Sequence, residues 1–103
     1  MTVPAEGIGR GVAAVLAAVI AGAERDADDR AASLGRHIMR LQTLRRLALR
    51  RTRRRKERGL DGPARIAYDP PGIRIGVRLS ARDLSVLIAE ARRQRAEWLE
   101  RAA

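Results

Sequence analysis

Residues 73–92 read IRIGVRLSARDLSVLIAEAR, and the hydrophobic period changes inside them. Ile73, Ile75, Val77 and Leu79 alternate with Arg74, Gly76 and Arg78, the two-residue period of a half-buried strand. From Leu84 onward, Leu87, Ile88, Ala91, Arg95, Trp98 and Leu99 recur at three- and four-residue steps, the period of an amphipathic helix. Ser80 stands at the change, with Asp83 three residues on, the spacing of a capping box. The chain therefore mixes strand and helix, and a helix over 81–101 is expected to follow the strand directly.

Upstream, Arg65-Ile66-Ala67-Tyr68 reads as a partner strand, and Asp69-Pro70-Pro71-Gly72 is a turn signal. Together they predict a β-hairpin over 64–79. A hairpin alone is marginal, so its apolar face needs a covering helix or a second chain.

Further upstream the pattern is helical. Leu34, Ile38, Leu41, Leu44 and Ala48 make one apolar stripe, with Arg36, Arg40 and Arg50 off it. Asp26, Asp28 and Asp29 suit the start of that helix, facing the positive end of its macrodipole. Gly59 and Pro63 supply its stop signals, which places an amphipathic helix over 26–58. Val12 to Ala23, VAAVLAAVIAGA, is an apolar run with Ile8, Val12, Val15, Val19 and Ile20 at helical spacing. Gly22 and Gly35 are candidate interruptions, so this part is two helices or one long kinked helix. Residues 1–11 read as a flexible start. The expected fold is mainly α with a small β element: two N-terminal helices or one kinked helix, a short hairpin and a C-terminal helix, in a single small domain of 103 residues.

The apolar run is too short for a bilayer span, which takes about 20 residues. Ala21-Gly22-Ala23 before Glu24 has the look of a signal cleavage site, against which Glu6 stands in the preceding stretch. Two readings follow: a cytoplasmic chain with a buried helix here, or a membrane-associated or exported one using residues 8–23. There is no Cys, which excludes disulfides and thiolate metal sites.

The net charge of +10 is localised. Residues 1–44 sum to zero, residues 59–103 to +2, and residues 45–58, RRLALRRTRRRKER, to +8. All but Lys56 of the 22 basic residues are Arg. A GC-rich codon bias produces such a preference, and Arg also forms forked bonds with phosphate. Arg45, Arg46, Arg50, Arg51, Arg53, Arg54, Arg55, Lys56 and Arg58 fall within about 20 Å of helix. Like charges this close repel, so the segment frays alone and firms up on a polyanion. Charge so concentrated marks a binding footprint. Nucleic acid is the first candidate partner, and an anionic membrane surface is another.

Catalysis finds little material. His37 is the sole His and sits beside the apolar stripe, where a structural role is the ordinary reading. No Cys or second His offers a nucleophile or base. Gly7-Ile8-Gly9-Arg10-Gly11 has the glycine density of a phosphate loop but no strand before it. Asp26, Asp28 and Asp29 suit dipole and solubility better than a metal. The expectation is a non-enzymatic chain with no cofactor, no metal and no small-molecule substrate.

Residues 73–92 also resemble the opening of a ribbon-helix-helix DNA-binding protein. In that family a short strand pairs with its twin across a dimer and enters the major groove. The resemblance implies base contacts from Arg74 and Arg78, which flank Gly76 on the outward face. It also implies a cap at Ser80 and dimer core positions at Leu84, Leu87 and Ile88. Arg is the commonest reader of guanine. The family's second helix has no counterpart signal, since Arg95 to Ala103 contains no Gly, Ser, Thr, Asn or Asp to start one. Pairing of 73–79 with Arg65–Tyr68 within one chain is the alternative.

The function expected is therefore an accessory nucleic-acid-binding protein, such as a small regulator or a component of a phage or mobile element. The alternatives are a helical adaptor with a protein partner or a homo-oligomer, as in a phage particle, and a peripheral protein on anionic lipid.

Overall fold

The computed structural model describes residues 9–26, 29–70 and 74–102. In chain order it has α1 (Arg10–Arg25), α2 (Arg30–Glu57), β1 (Ile66–Tyr68), β2 (Val77–Leu79) and α3 (Ala81–Ala102). The expected fold needs correction here. The order is helix–helix–hairpin–helix with three separate helices, so the long kinked N-terminal helix is excluded. Neither Gly22 nor Gly35 interrupts a helix. The break falls at Asp26–Asp29, because short acidic side chains there take over the hydrogen bonding. Asp26 Oδ2 accepts from Ser33 Oγ at 2.6 Å. Asp29 caps α2, its Oδ1 accepting from the Ala32 amide at 3.0 Å. Of the residues read as a flexible start, 1–8 lie outside the described residues, as do Asp28 and the turn and strand residues Pro71, Gly72 and Ile73. Gly9 caps α1 and Arg10 opens it.

The hairpin is shorter than the alternation predicts. β1 and β2 are three residues each, paired antiparallel as Ile66↔Leu79, Ala67↔Arg78 and Tyr68↔Val77. Ile75 and Gly76 stay out of the ladder because Asp69 Oδ1 accepts both their amides, at 2.8 and 2.9 Å. The carboxylate replaces a strand partner, and pairing begins only at Val77.

α2 and α3 run antiparallel. Arg95 Nε donates to the Ala31 carbonyl at 3.0 Å, and Arg45 Nε donates to Ser85 Oγ at 2.7 Å. α1 packs on both, and β2 closes the core against α1. The core gathers Val12, Val15, Leu16 and Val19 of α1 with Leu34, Ile38 and Leu41 of α2. Ile66, Tyr68 and Leu79 of the hairpin and Leu84, Leu87, Ile88 and Trp98 of α3 join it. The apolar run is thus turned inward, each large side chain stabilising the fold by about 1.5–3 kcal/mol on burial. Among the described residues no helix is long and apolar enough to cross a membrane. Leu99 departs from its assigned stripe: it is 47% exposed, near Met39 at 68%.

Candidate nucleic-acid interface

Ala48 is fully buried, and Thr52 continues its face one turn on. That face fixes where the other side chains of the arginine block point. At about 3.6 residues per turn, Arg46, Arg50, Arg53 and Arg54 lie on the side of α2 away from the core. Arg45 and Lys56 flank them on one side, Arg51 and Arg58 on the other. All eight are exposed. Arg55 falls back on the packed face. Its Nη2 donates to the Asp61 carbonyl at 3.0 Å, and its Nε is buried without a partner.

The end of α2 overhangs its neighbour. The Arg45–Ser85 contact puts the start of α3 near residue 48, so the turns from Arg50 to Glu57 continue past it. Two devices hold them. Thr52 Oγ1 donates to the Ala48 carbonyl at 2.8 Å and accepts from the Ala64 amide at 3.0 Å, which ties the returning chain along one flank. Gly59, at φ +75°, turns the chain out of the helix, and the Leu60 amide donates back to the Arg55 carbonyl at 2.9 Å. An L side chain is strained at that φ, so the position favours glycine.

Among the described residues, no carboxylate pairs with any of the nine cations from Arg45 to Arg58. The ion pairs present are on α3, where Arg93 meets Glu90 at 3.1 Å and Glu97 at 2.9 Å. Glu90 and Glu97 are thus engaged within α3, away from the block. Arg46 donates only to Thr43 Oγ1, at 3.2 Å.

Arg74 and Arg78 sit elsewhere, both exposed, Arg74 before β2 and Arg78 within it opposite Ala67. One edge of β2 is paired with β1 of the same chain, and α1 packs against β2. Ser80 and Asp83 form the reciprocal cap, the Asp83 amide donating to Ser80 Oγ at 3.2 Å and the Ser80 amide to Asp83 Oδ2 at 3.0 Å.

A second basic cluster escaped the sequence reading. Arg25, Arg36, His37 and Arg40 line a cavity of about 300 Å³ between the end of α1 and the first turns of α2. Its signal was present as the spacing of Arg36, His37 and Arg40, one helical turn, just past the acidic break. Burial, followed by the charge of Arg40, lowers the His37 pKa below its ordinary value; Asp26 works in the opposite direction and Arg36 adds to the lowering. His37 Nδ1 is buried without a partner, and the Arg40 side chain faces the buried Tyr68 hydroxyl. Burial pushes the Tyr68 phenol up, opposed by the charge of Arg40. Among the described residues, no group of three or more His, Cys, Asp or Glu side chains gathers to hold a metal.

No family model, curated protein or solved structure matches this chain.

Proposed function

We propose that this protein binds nucleic acid through the arginine face of α2. The observation that carries the reading is the run of eight exposed cations from Arg45 to Arg58, along the C-terminal half of α2 and its cap, with no carboxylate partner among the described residues. Burying or pairing them within the chain would have cancelled their field. Left free, they can neutralise phosphates and release counterions, a term that grows as salt falls. A helix of this width fits a major groove, and Arg46, Arg50, Arg53 and Arg54 would then meet phosphates directly, flanked by Arg45, Arg51, Lys56 and Arg58. Arg55, held to Asp61, shapes the helix end instead. Arg74 and Arg78 add contacts from the hairpin.

The test is filter binding of duplex DNA and of RNA at two salt concentrations. Retention at ~50 mM salt that collapses at higher salt supports the reading, and no retention at ~50 mM overturns it. Sedimentation with anionic but not neutral vesicles, in the absence of nucleic-acid retention, would move the same cations to a lipid surface.

A second reading rests on Met39 and Leu99. Both are exposed large apolar side chains lining one groove between α2 and α3. They suit a protein neighbour in an assembly. Size-exclusion of nuclease-treated protein tests it: a high-order oligomer that survives favours the assembly, and a monomer removes it.

A further inference from the structure

We infer that the cavity between the end of α1 and the first turns of α2 receives a phosphate group. α1 contributes Arg25 and Asp26, and α2 contributes Ser33, Arg36, His37 and Arg40. Residues three and four apart share a helix face, so one face of α2 supplies all four of its groups. None of them belongs to the arginine block. Arg40 lies 14 positions before Arg54, about 21 Å along the helix.

Three exposed arginines, Arg25, Arg36 and Arg40, line an open cavity of about 300 Å³. Among the described residues none of the three is paired with a carboxylate. The one acid in the wall, Asp26, is engaged through Oδ2 with the buried Ser33 hydroxyl at 2.6 Å. The lining therefore carries two net positive charges with neutral His37. Guanidinium groups bind phosphate oxygens in forked pairs, which suits such a cluster. His37 Nε2 lies on the Gly22 side of the cavity, and in the tautomer with its proton there the imidazole donates to a phosphate oxygen. Gly22 leaves the opposite wall open: a Cβ there would already touch Arg25 Nη2 at 3.7 Å and His37 Nε2 at 3.8 Å, and a longer side chain would enter the cavity. The volume is at the small end of ligand sites, enough for a phosphate with a short organic part or for a terminal phosphate of a longer chain.

Two sources share that chemistry, a free phosphate compound and the 5′ end of a nucleic acid. His37 is the sole His, so its imidazole NMR signals report on the cavity without any substitution. Inorganic phosphate is titrated against the full chain at constant ionic strength, with chloride as the balancing anion. The expected result is a saturable movement of the His37 signals together with a rise in Tm. Arg36→Gln with Arg40→Gln should abolish both, while Arg50→Gln with Arg54→Gln leaves them intact. Unmoved His37 signals, or a response that survives loss of Arg36 and Arg40, would overturn the assignment. Should the double variant fail to fold, the His37 titration of the unaltered chain decides alone. An oligonucleotide with a 5′-phosphate is then compared with its 5′-hydroxyl twin. A preference of about tenfold that vanishes with Arg36 and Arg40 assigns the source to a nucleic-acid end. Equal binding of the two, with the phosphate response present, assigns it to a free phosphate compound. Because inorganic phosphate is read by itself, the site stands or falls separately from the arginine face.

Discussion

Gly11, in the first turn of α1, lies flat beneath Val77 of β2: a Cβ on residue 11 would stand 2.8 Å from Val77 Cγ1. Real Cβ atoms do not come that close, and the stiff Val side chain has one torsion with which to yield. Gly11→Ala gains about 1 kcal/mol of helix propensity but forces α1 away from the hairpin, an overpacking cost of about 1–3 kcal/mol. The expected net effect is a loss of about 1 kcal/mol in urea unfolding. Gly9 has open space around it, so Gly9→Ala carries only the loss of glycine at the N-cap of α1, with no overpacking against the hairpin.

Gly11 also shows how far the sequence could be read. In the string Gly7-Ile8-Gly9-Arg10-Gly11 it suggested a phosphate loop, and nothing local says that Val77 will sit on it. Periodicity located the stripes of α2 and α3 because burial repeats at the helical step, and the Ser80–Asp83 cap is local chemistry at a fixed spacing. The contacts that were not legible are those between distant segments. Asp69 withdrawing Ile75 and Gly76 from the ladder shortened an alternation that looked like a full strand. Arg95 crossing Gly35 to reach Ala31 explained a glycine that looked like a break. The arginine block stood out by charge alone, yet its sorting into eight exposed cations and one tied Arg55 depends on where Ala48 is buried. The Arg25–Arg36–His37–Arg40 cavity needs α1 and α2 to be separate and side by side.

The reciprocal cap at the start of α3 makes Ser80 a stability position. Ser80→Ala removes the acceptor of the Asp83 amide, with an expected loss of about 1 kcal/mol. Asp83→Ala removes the other half, the acceptor of the Ser80 amide. The double variant should cost less than the sum of the two, since each bond steadies the other. Chemical denaturation of the three variants measures the coupling.

Asp69 gives the hairpin an acid limit. The amides of Gly76 and Ile75 hold its carboxyl below the ordinary carboxylate value. A depressed folded pKa stabilises fully above the unfolded value and is lost as pH falls through the folded one. The unaltered chain should therefore lose Tm on acidification from the ordinary carboxylate range downward. In Asp69→Ala the Tm is lower at neutral pH, and this part of the acid decline is absent. Thermal melts from neutral pH to strongly acidic conditions compare the two slopes.

His37 works in a higher window. Its folded pKa is lowered by burial and by Arg40 and Arg36, with Asp26 opposing. Arg25 also faces the cavity. The folded chain thus favours the neutral imidazole. Its contribution is complete above the ordinary His value of 6.5 and declines as pH falls through the lowered one. NMR titration should give a midpoint below 6.5, and His37→Gln should flatten the fall in Tm over that interval. A midpoint at or above the ordinary value would contradict the burial of the ring.

The arginine face predicts a salt signature that separates its residues. Arg46, Arg50, Arg53 and Arg54 point away from the core, whereas Arg55 is tied to the Asp61 carbonyl. Each phosphate contact contributes about −0.9 to the slope of log affinity against log salt on duplex DNA. Replacing the four outward residues by Gln should reduce that slope by about three to four, and affinity at low salt should fall by orders of magnitude. Stability should hold or rise slightly, because like charges on adjacent turns repel less. Arg55→Gln should do the reverse. It leaves the slope nearly unchanged and lowers Tm, since it cuts the tie between α2 and the chain that returns toward β1. Binding isotherms at several salt concentrations, with melts of the same samples, measure both quantities. If Arg55→Gln lowered the slope as much as Arg50→Gln, the division between the outward and packed faces of α2 would be wrong.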